Sequence, residues 1–156
     1  MALEAPICEG LLSRRVIQCY GLSRSSARIQ AYLSHLMDRE GFYVTQSGGG
    51  RVFWYNEQMQ RTYAGFRRSG EGNARREAKD VPCEEAANAL CLVLRDAVSM
   101  PEEDLVREGA RLLGYSRTGS AVAQLMTEGI AYAARRQLIC QNVLGQWILA
   151  PESQDR

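Results

Sequence analysis

Gly21-Leu22-Ser23-Arg24 and Gly114-Tyr115-Ser116-Arg117-Thr118-Gly119-Ser120 stand 93 residues apart, and both open with Gly-x-Ser-Arg. Their surroundings match at the same offset. Glu9 and Arg14 meet Glu102 and Arg107, Ser25 meets Thr118, Ile29 meets Val122 and Trp54 meets Trp147. Across Glu9 to Ile29 there are six identities, Leu12 with Leu105 among them, where chance would supply about one or two. The chain therefore reads as one unit written twice.

Ahead of the first glycine, Leu12, Val16, Cys19 and Tyr20 repeat at i, i+4, i+7 and i+8, the apolar face of a helix that Gly21 ends in the left-handed conformation. Leu105, Gly109, Leu112 and Leu113 take those places before Gly114. A second periodic run follows each turn: Ile29, Leu33, Leu36 and Met37 in one copy, Val122, Leu125, Met126 and Ile130 in the other. A hydroxyl at Ser23, Ser25, Ser116 or Thr118 is the expected cap of that second helix.

Short β-prone segments come next. Phe42–Thr45 and Val52–Tyr55 flank Ser47-Gly48-Gly49-Gly50, and Leu138–Cys140 and Trp147–Leu149 flank Asn142 and Gly145, both patterns of a hairpin. Helix, turn, helix, hairpin is the order of a winged helix. The expected fold is α+β and mostly helical, built as tandem winged-helix-like repeats. Residues 1–56 form the first unit, 57–80 a connector rich in glycine and arginine, and 81–151 the second unit. A further helix over 82–97, with Glu84 and Glu85 in its first turn, opens the second unit. Only Ala5-Pro6-Ile7 stands in that place in the first unit, which is either truncated or borrows packing from sequence upstream. Tyr63 and Phe66 are expected to pin the connector to a domain face.

With 156 residues, 46% hydrophobic and 24% charged, the chain has the composition of a globular protein large enough to bury a core unaided. Its longest apolar stretch falls far short of the roughly 20 residues that span a bilayer, and the first 20 lack the apolar core of a signal peptide, so a cytoplasmic location is expected. Five cysteines without C-x-x-C spacing suit neither a disulfide framework nor a zinc site, and the lone histidine, His35, has no cysteine at ligand spacing. No metal or cofactor is expected. Ser23 and Ser116 have no histidine base, and the acidic run Glu102-Glu103-Asp104 has no partner for acid–base work, so no catalytic apparatus is visible.

Charge is uneven along the chain: +1 over residues 1–50, +4 over 51–79, −6 over 80–110 and +2 over 111–156. Either the basic middle is a nucleic-acid surface, or the two opposite segments neutralise each other when packed. Eighteen of the nineteen basic residues are arginines, planar forks suited to phosphates, base edges and carboxylates alike. In a helix-turn-helix the start of the second helix contacts bases and phosphates, which here selects Arg24, Ser25 and Arg28, with Arg117 in the second copy. Arg51 in the first wing and Arg67 and Arg68 in the connector are candidate phosphate contacts. For Arg24 and Arg117 a second reading stays open, a clamp onto the equally repeated Glu9 and Glu102.

The motifs together resemble the C-terminal domain of unknown function carried by very large bacterial superfamily I DNA/RNA helicases. The matching stretches are Glu4-Ala5-Pro6-Ile7, Gly21–Arg24, Val52-Phe53-Trp54, Gly65-Phe66-Arg67, Val81-Pro82 with Glu84-Glu85, and Pro101–Arg107 through Gly119-Ser120. The resemblance implies helicase and nuclease domains upstream in a parent polypeptide. This sequence holds no G-x-x-x-x-G-K-[ST] phosphate loop, since Ser47-Gly48-Gly49-Gly50-Arg51 lacks the lysine. The first copy departs from the second in having Ser26 where Gly119 stands. The expected role is a non-catalytic accessory module that binds or positions DNA or RNA. The alternative is a protein-docking module that touches no nucleic acid.

Overall fold

The computed structural model of the chain describes residues 4–70 and 76–151. The chain divides into two compact units, Met1–Tyr63 and Ala64–Arg156. The 57–80 stretch is thus shared between them and does not stand apart as a connector. Both units are α+β, each with one antiparallel sheet of three strands.

The first unit runs β1 (Ile7–Cys8), α1 (Glu9–Cys19), α2 (Ala27–Arg39), β2 (Tyr43–Ser47), β3 (Gly50–Trp54) and α3 (Glu57–Thr62). β3 is the central strand, with Phe53 opposite both Val44 of β2 and Ile7 of β1. The short Ala5-Pro6-Ile7 stretch therefore leads into a third strand. Ile7, Leu11, Met37 and Phe53 form the core on the helical side of the sheet, while Cys8, Val52 and Trp54 pack with Met59 and Tyr63 on the other. Because both faces are covered, three consecutive residues of β3, Val52, Phe53 and Trp54, are fully buried. The Trp54 indole donates to Thr45 Oγ1 at 2.9 Å and meets the Tyr63 ring edge-on at 5.4 Å. Tyr63 thus pins its segment to the first unit, whereas Phe66 packs on the core of the second.

The second unit runs α4 (Cys83–Ala97), β4 (Ser99–Met100), α5 (Glu102–Leu112), α6 (Ser120–Arg135), β5 (Ile139–Gln141) and β6 (Trp147–Leu149). After α4 it repeats the order strand, helix, helix, hairpin, and again the last strand lies in the middle of its sheet. The turns that join the paired helices are alike in detail. Gly21 sits at φ +72° and Gly114 at +91°. The amide after each glycine reaches the carbonyl five residues back, Leu22 to Ile17 at 3.1 Å and Tyr115 to Ala110 at 2.9 Å. The caps of α2 and α6 fall one residue later than the sequence suggests. Ser26 accepts from the Ile29 amide, and Gly119 caps α6 with no side chain.

One expected pairing does not hold. α6 has 16 residues where α2 has 13, so the hairpins leave the register of the helices. Trp54 lies opposite Tyr43 at the start of β2, and the residue opposite Ile139 at the start of β5 is Leu149. Trp147 faces Met100 of β4, and the counterpart of Met100 at the 93-residue offset, Ile7 of β1, faces Phe53. The two tryptophans are not counterparts.

In the second unit α4 packs between α5 and α6 over Leu90, Leu94, Leu105, Leu113, Met126 and Ile130. Gly129 permits the closest approach: a Cβ built there would lie 2.8 Å from Ala86 Cβ and 3.1 Å from the Ala87 amide nitrogen. Beside this apolar core sits a fully buried carboxylate, Glu85. Its Oε1 accepts from Arg67 Nη2 at 2.5 Å and Arg76 Nη2 at 2.9 Å. Its Oε2 accepts from the Arg67 amide at 2.8 Å and Arg76 Nη1 at 2.9 Å. Burial by itself would raise the Glu85 pKa, but the hydrogen bonds and charges of Arg76 and Arg67 outweigh it and hold the group below its ordinary value of 4.5.

A carboxyl with a depressed folded pKa contributes its full stabilisation above the unfolded pKa and loses it as pH falls through the folded one. Chemical denaturation at several pH values should therefore show stability falling below pH 4.5. Glu85→Gln is expected to cost about 3–5 kcal/mol at neutral pH, since it leaves the buried Arg76 and the partly buried Arg67 short of their counter-charge, and to flatten that acid dependence. Gly129→Ala should destabilise by about 1–3 kcal/mol in urea melts, because the methyl meets helix backbone and this outweighs the gain of about 1 kcal/mol in helix propensity. Gly109→Ala is expected to cost less, because its nearest neighbour, at 2.7 Å, is the Leu90 Cδ2 methyl, which can move aside.

Candidate nucleic-acid interface

α2 contributes Met37 to the core and places Ile29, Leu33 and Leu36 at partly buried positions. On the opposite side Arg28, Tyr32, His35 and Arg39 recur at i, i+4, i+7 and i+11, and all four are exposed. Tyr32 keeps 63% of its surface in water. Arg24 stands exposed in the turn ahead of the helix, with half-buried Ser25 beside it. The helix therefore offers one stripe of three positive or protonatable groups around an aromatic ring, with a fourth cation leading in. Among the described residues no side chain pairs with Arg24, Arg28 or Arg39.

A groove of about 590 Å³ runs beside this helix, between α1, the start of α2 and the β2–β3 turn, lined by Ser13, Arg14, Ser25, Gln30, Ser34 and Arg51. Arg51 is the strut that shapes it. Its guanidinium meets Asp38 at 2.5 Å, Ser34 at 3.4 Å and Glu9 at 3.6 Å, and lies 5.0 Å from the centre of the Phe53 ring. It ties the hairpin to both helices, so its charge is largely spent within the unit.

The seven arginine and serine positions singled out from sequence are thus not equivalent. Arg24, Ser25 and Arg28 lie together at the start of α2. Arg51 is internal to the same unit. Arg67 is committed to the buried Glu85, while Arg68 is exposed and lines an apolar groove of about 530 Å³ along α4 and α5 with Leu92, Val93, Met100 and Leu112. Arg117 is exposed ahead of α6. The clamp onto the repeated glutamates is not made: Glu9 faces Arg51, and Glu102 accepts from the Trp147 indole at 3.1 Å. Tyr32, His35 and Arg39 are additions the sequence reading missed, although their spacing complements the apolar face of α2 and marks them as one surface.

The corresponding face of α6 is different in kind. Ser120, Gln124, Thr127 and Ala131 are exposed at the same spacing, and the one charged residue of α6 before Arg135 is the partly buried Glu128. Gln124 donates to Glu128 at 3.1 Å, and Thr127 donates back to the Ala123 carbonyl. The two units share a scaffold and present opposite surface chemistry.

All five cysteines are free thiols, and burial pushes Cys91 up to about 11. Among the described residues no group of three or more His, Cys, Asp and Glu side chains is arranged to hold a metal ion, and no helix is long and apolar enough to cross a membrane. No protein-family model, no curated protein and no solved structure matches the chain.

The difference between strut and free cation is measurable. Arg24→Ala, Arg28→Ala and Arg39→Ala should each leave stability within about 0.5 kcal/mol of wild type, as at exposed positions without contacts. Arg51→Ala should cost about 1–2 kcal/mol, from its ion pairs and its place over Phe53, as read from thermal or urea melts.

Proposed function

We propose that this chain is a non-catalytic nucleic-acid-binding module of tandem winged-helix type, and that the first unit makes the grip. The observation that carries this reading is the stripe Arg24, Arg28, Tyr32, His35 and Arg39, whose cations have no partner among the described residues. An α-helix fits the major groove of duplex DNA, and α2 is the second helix of a helix–turn–helix whose hairpin follows at once. The winged-helix reading is supported in both units by the strand that precedes the helix pair and joins the sheet beside the last hairpin strand. In a parent polypeptide with helicase and nuclease domains, as the motif resemblance suggests, such a module would hold or position the substrate of those domains.

Net charge is only +1, so binding must come from the local stripe and not from a general polycation effect. Fluorescence anisotropy with labelled duplex DNA, single-stranded DNA and RNA at two salt concentrations tests this. Affinity should fall steeply with salt, and Arg28→Glu with Arg39→Glu should weaken binding at least about tenfold and lower the log–log salt slope by about one unit for each phosphate no longer neutralised. The same changes in the α6 face, at Ser120 and Gln124, should have a smaller effect. A folded protein that binds none of the three nucleic acids overturns the reading. It would favour the docking alternative, which draws on the apolar α4–α5 groove of the second unit.

A further inference from the structure

We infer that the tip of the second hairpin, Val143–Leu144, is an apolar wedge that enters a base step of the bound nucleic acid; this rests on the nucleic-acid reading above. Val143 is fully exposed and Leu144 is 77% exposed. Neither side chain is needed for the turn that carries it. Asn142 Oδ1 accepts from the amides of Leu144 at 2.9 Å and Gln146 at 3.0 Å, and Gly145, at φ +72°, supplies the left-handed residue and donates to the Asn142 carbonyl at 3.0 Å. Below the turn the Asn142 amide bonds the Gln146 carbonyl at 2.9 Å, and Ser99 of β4 holds the Gln146 side chain at 3.1 Å. Exposed turn positions ordinarily hold polar residues, glycine or proline, so an aliphatic pair on a turn already fixed by its neighbours points to a contact outside the unit.

The size and the surroundings of the tip favour nucleic acid over protein. Two side chains fall far short of the roughly 1,200 Å² that a stable protein interface buries. They match what is needed to open a single base step, where inserted aliphatic side chains unstack neighbouring bases at a cost of a few kcal/mol. The hairpin from Gln137 to Leu149 contains no charged residue that would repel phosphates. The carboxylate that reaches it, Glu102, is engaged by the Trp147 indole N–H. The first hairpin differs at this point: its tip is Gly48-Gly49, which has no side chain to insert.

The test uses the full chain and a set of duplex DNAs with 2-aminopurine placed at successive positions. The affinity of each duplex is followed in parallel by anisotropy. At one position or a short run of positions, wild-type protein should raise 2-aminopurine emission by about two- to fivefold, as unstacking requires. Val143→Ser with Leu144→Ser should abolish the rise while affinity falls less than about tenfold, and Leu144→Phe should preserve it. Thermal melts confirm that the variants fold. Binding by wild type without any rise in emission overturns the wedge and leaves the grip of the first unit standing, as would a protein-docking role for the tip. A rise that survives in the double serine variant overturns the wedge as well. Absence of binding by wild type overturns both readings together.

Discussion

The fully buried carboxylate of Glu85 organises the second unit. Glu85 lies in the first turn of α4 with no exposed surface, and removing a charge of that kind from water costs several kcal/mol unless it is paired and fully hydrogen-bonded. The partners come from upstream: Arg67 places three donors on the carboxylate, its amide, Nε and Nη2, and Arg76 places two, Nη1 and Nη2. Those bonds draw the segment after Tyr63 onto the α4 surface. The segment is then held further by Asn88, whose amide donates to the Gly65 carbonyl at 2.8 Å, and by Ser69, whose amide reaches Leu113 at 2.7 Å. Tyr115 completes the attachment, its hydroxyl donating to the Arg76 carbonyl at 3.2 Å. A stretch that reads as a flexible basic connector is therefore partly the wall of a core. Two of its arginines, Arg67 and Arg76, neutralise one carboxylate of the acidic segment that follows it, Glu85.

The same pairing of charges separates arginines that build from arginines that are offered to a ligand. Arg51, Arg67 and Arg76 each meet at least one carboxylate and sit at junctions between elements. Arg24, Arg28 and Arg39 meet none among the described residues; Arg28 and Arg39 share one side of α2, and Arg24 stands in the turn ahead of it. A guanidinium already forked onto a carboxylate has little left to give a phosphate, because its donors are occupied and its charge is compensated locally. The exposed stripe of arginines along a helix is thereby found in the first unit, although the Gly-x-Ser-Arg motif is present in both.

The two units share an order of elements after α4 and differ at the positions that this order leaves free. The scaffold asks for a glycine at the helix–helix turn, an apolar face on each helix, and a strand to sit beside the hairpin. It asks nothing of the exposed side of the second helix or of the hairpin tip. Those are the places where the units differ: arginine, tyrosine and histidine on α2 against serine, glutamine and alanine on α6, and glycines on one tip against valine and leucine on the other. Fold and function are separable here because they use different faces of the same elements.

The paired helices, the two glycine turns and the hairpins were legible from the sequence, because each rests on local chemistry: apolar spacing, a residue free to take positive φ, β-prone runs around glycine; the short α3, β1 and β4 were not, since two to six residues carry too little pattern. The extent of α4 was legible for the same reason. Register was not. Three extra residues in α6 shift the hairpin against the helices, and only cross-strand pairing shows that Trp147 does not answer to Trp54. Nor could the sequence tell Arg51 and Arg67 from Arg28. All are arginines in basic surroundings, and what distinguishes them is which carboxylate lies within reach once the chain has folded, at separations of 13 residues for Asp38 with Arg51 and 18 for Glu85 with Arg67. Local pattern determined the elements, and long-range pairing of charge decided which of their side chains remain to meet a partner.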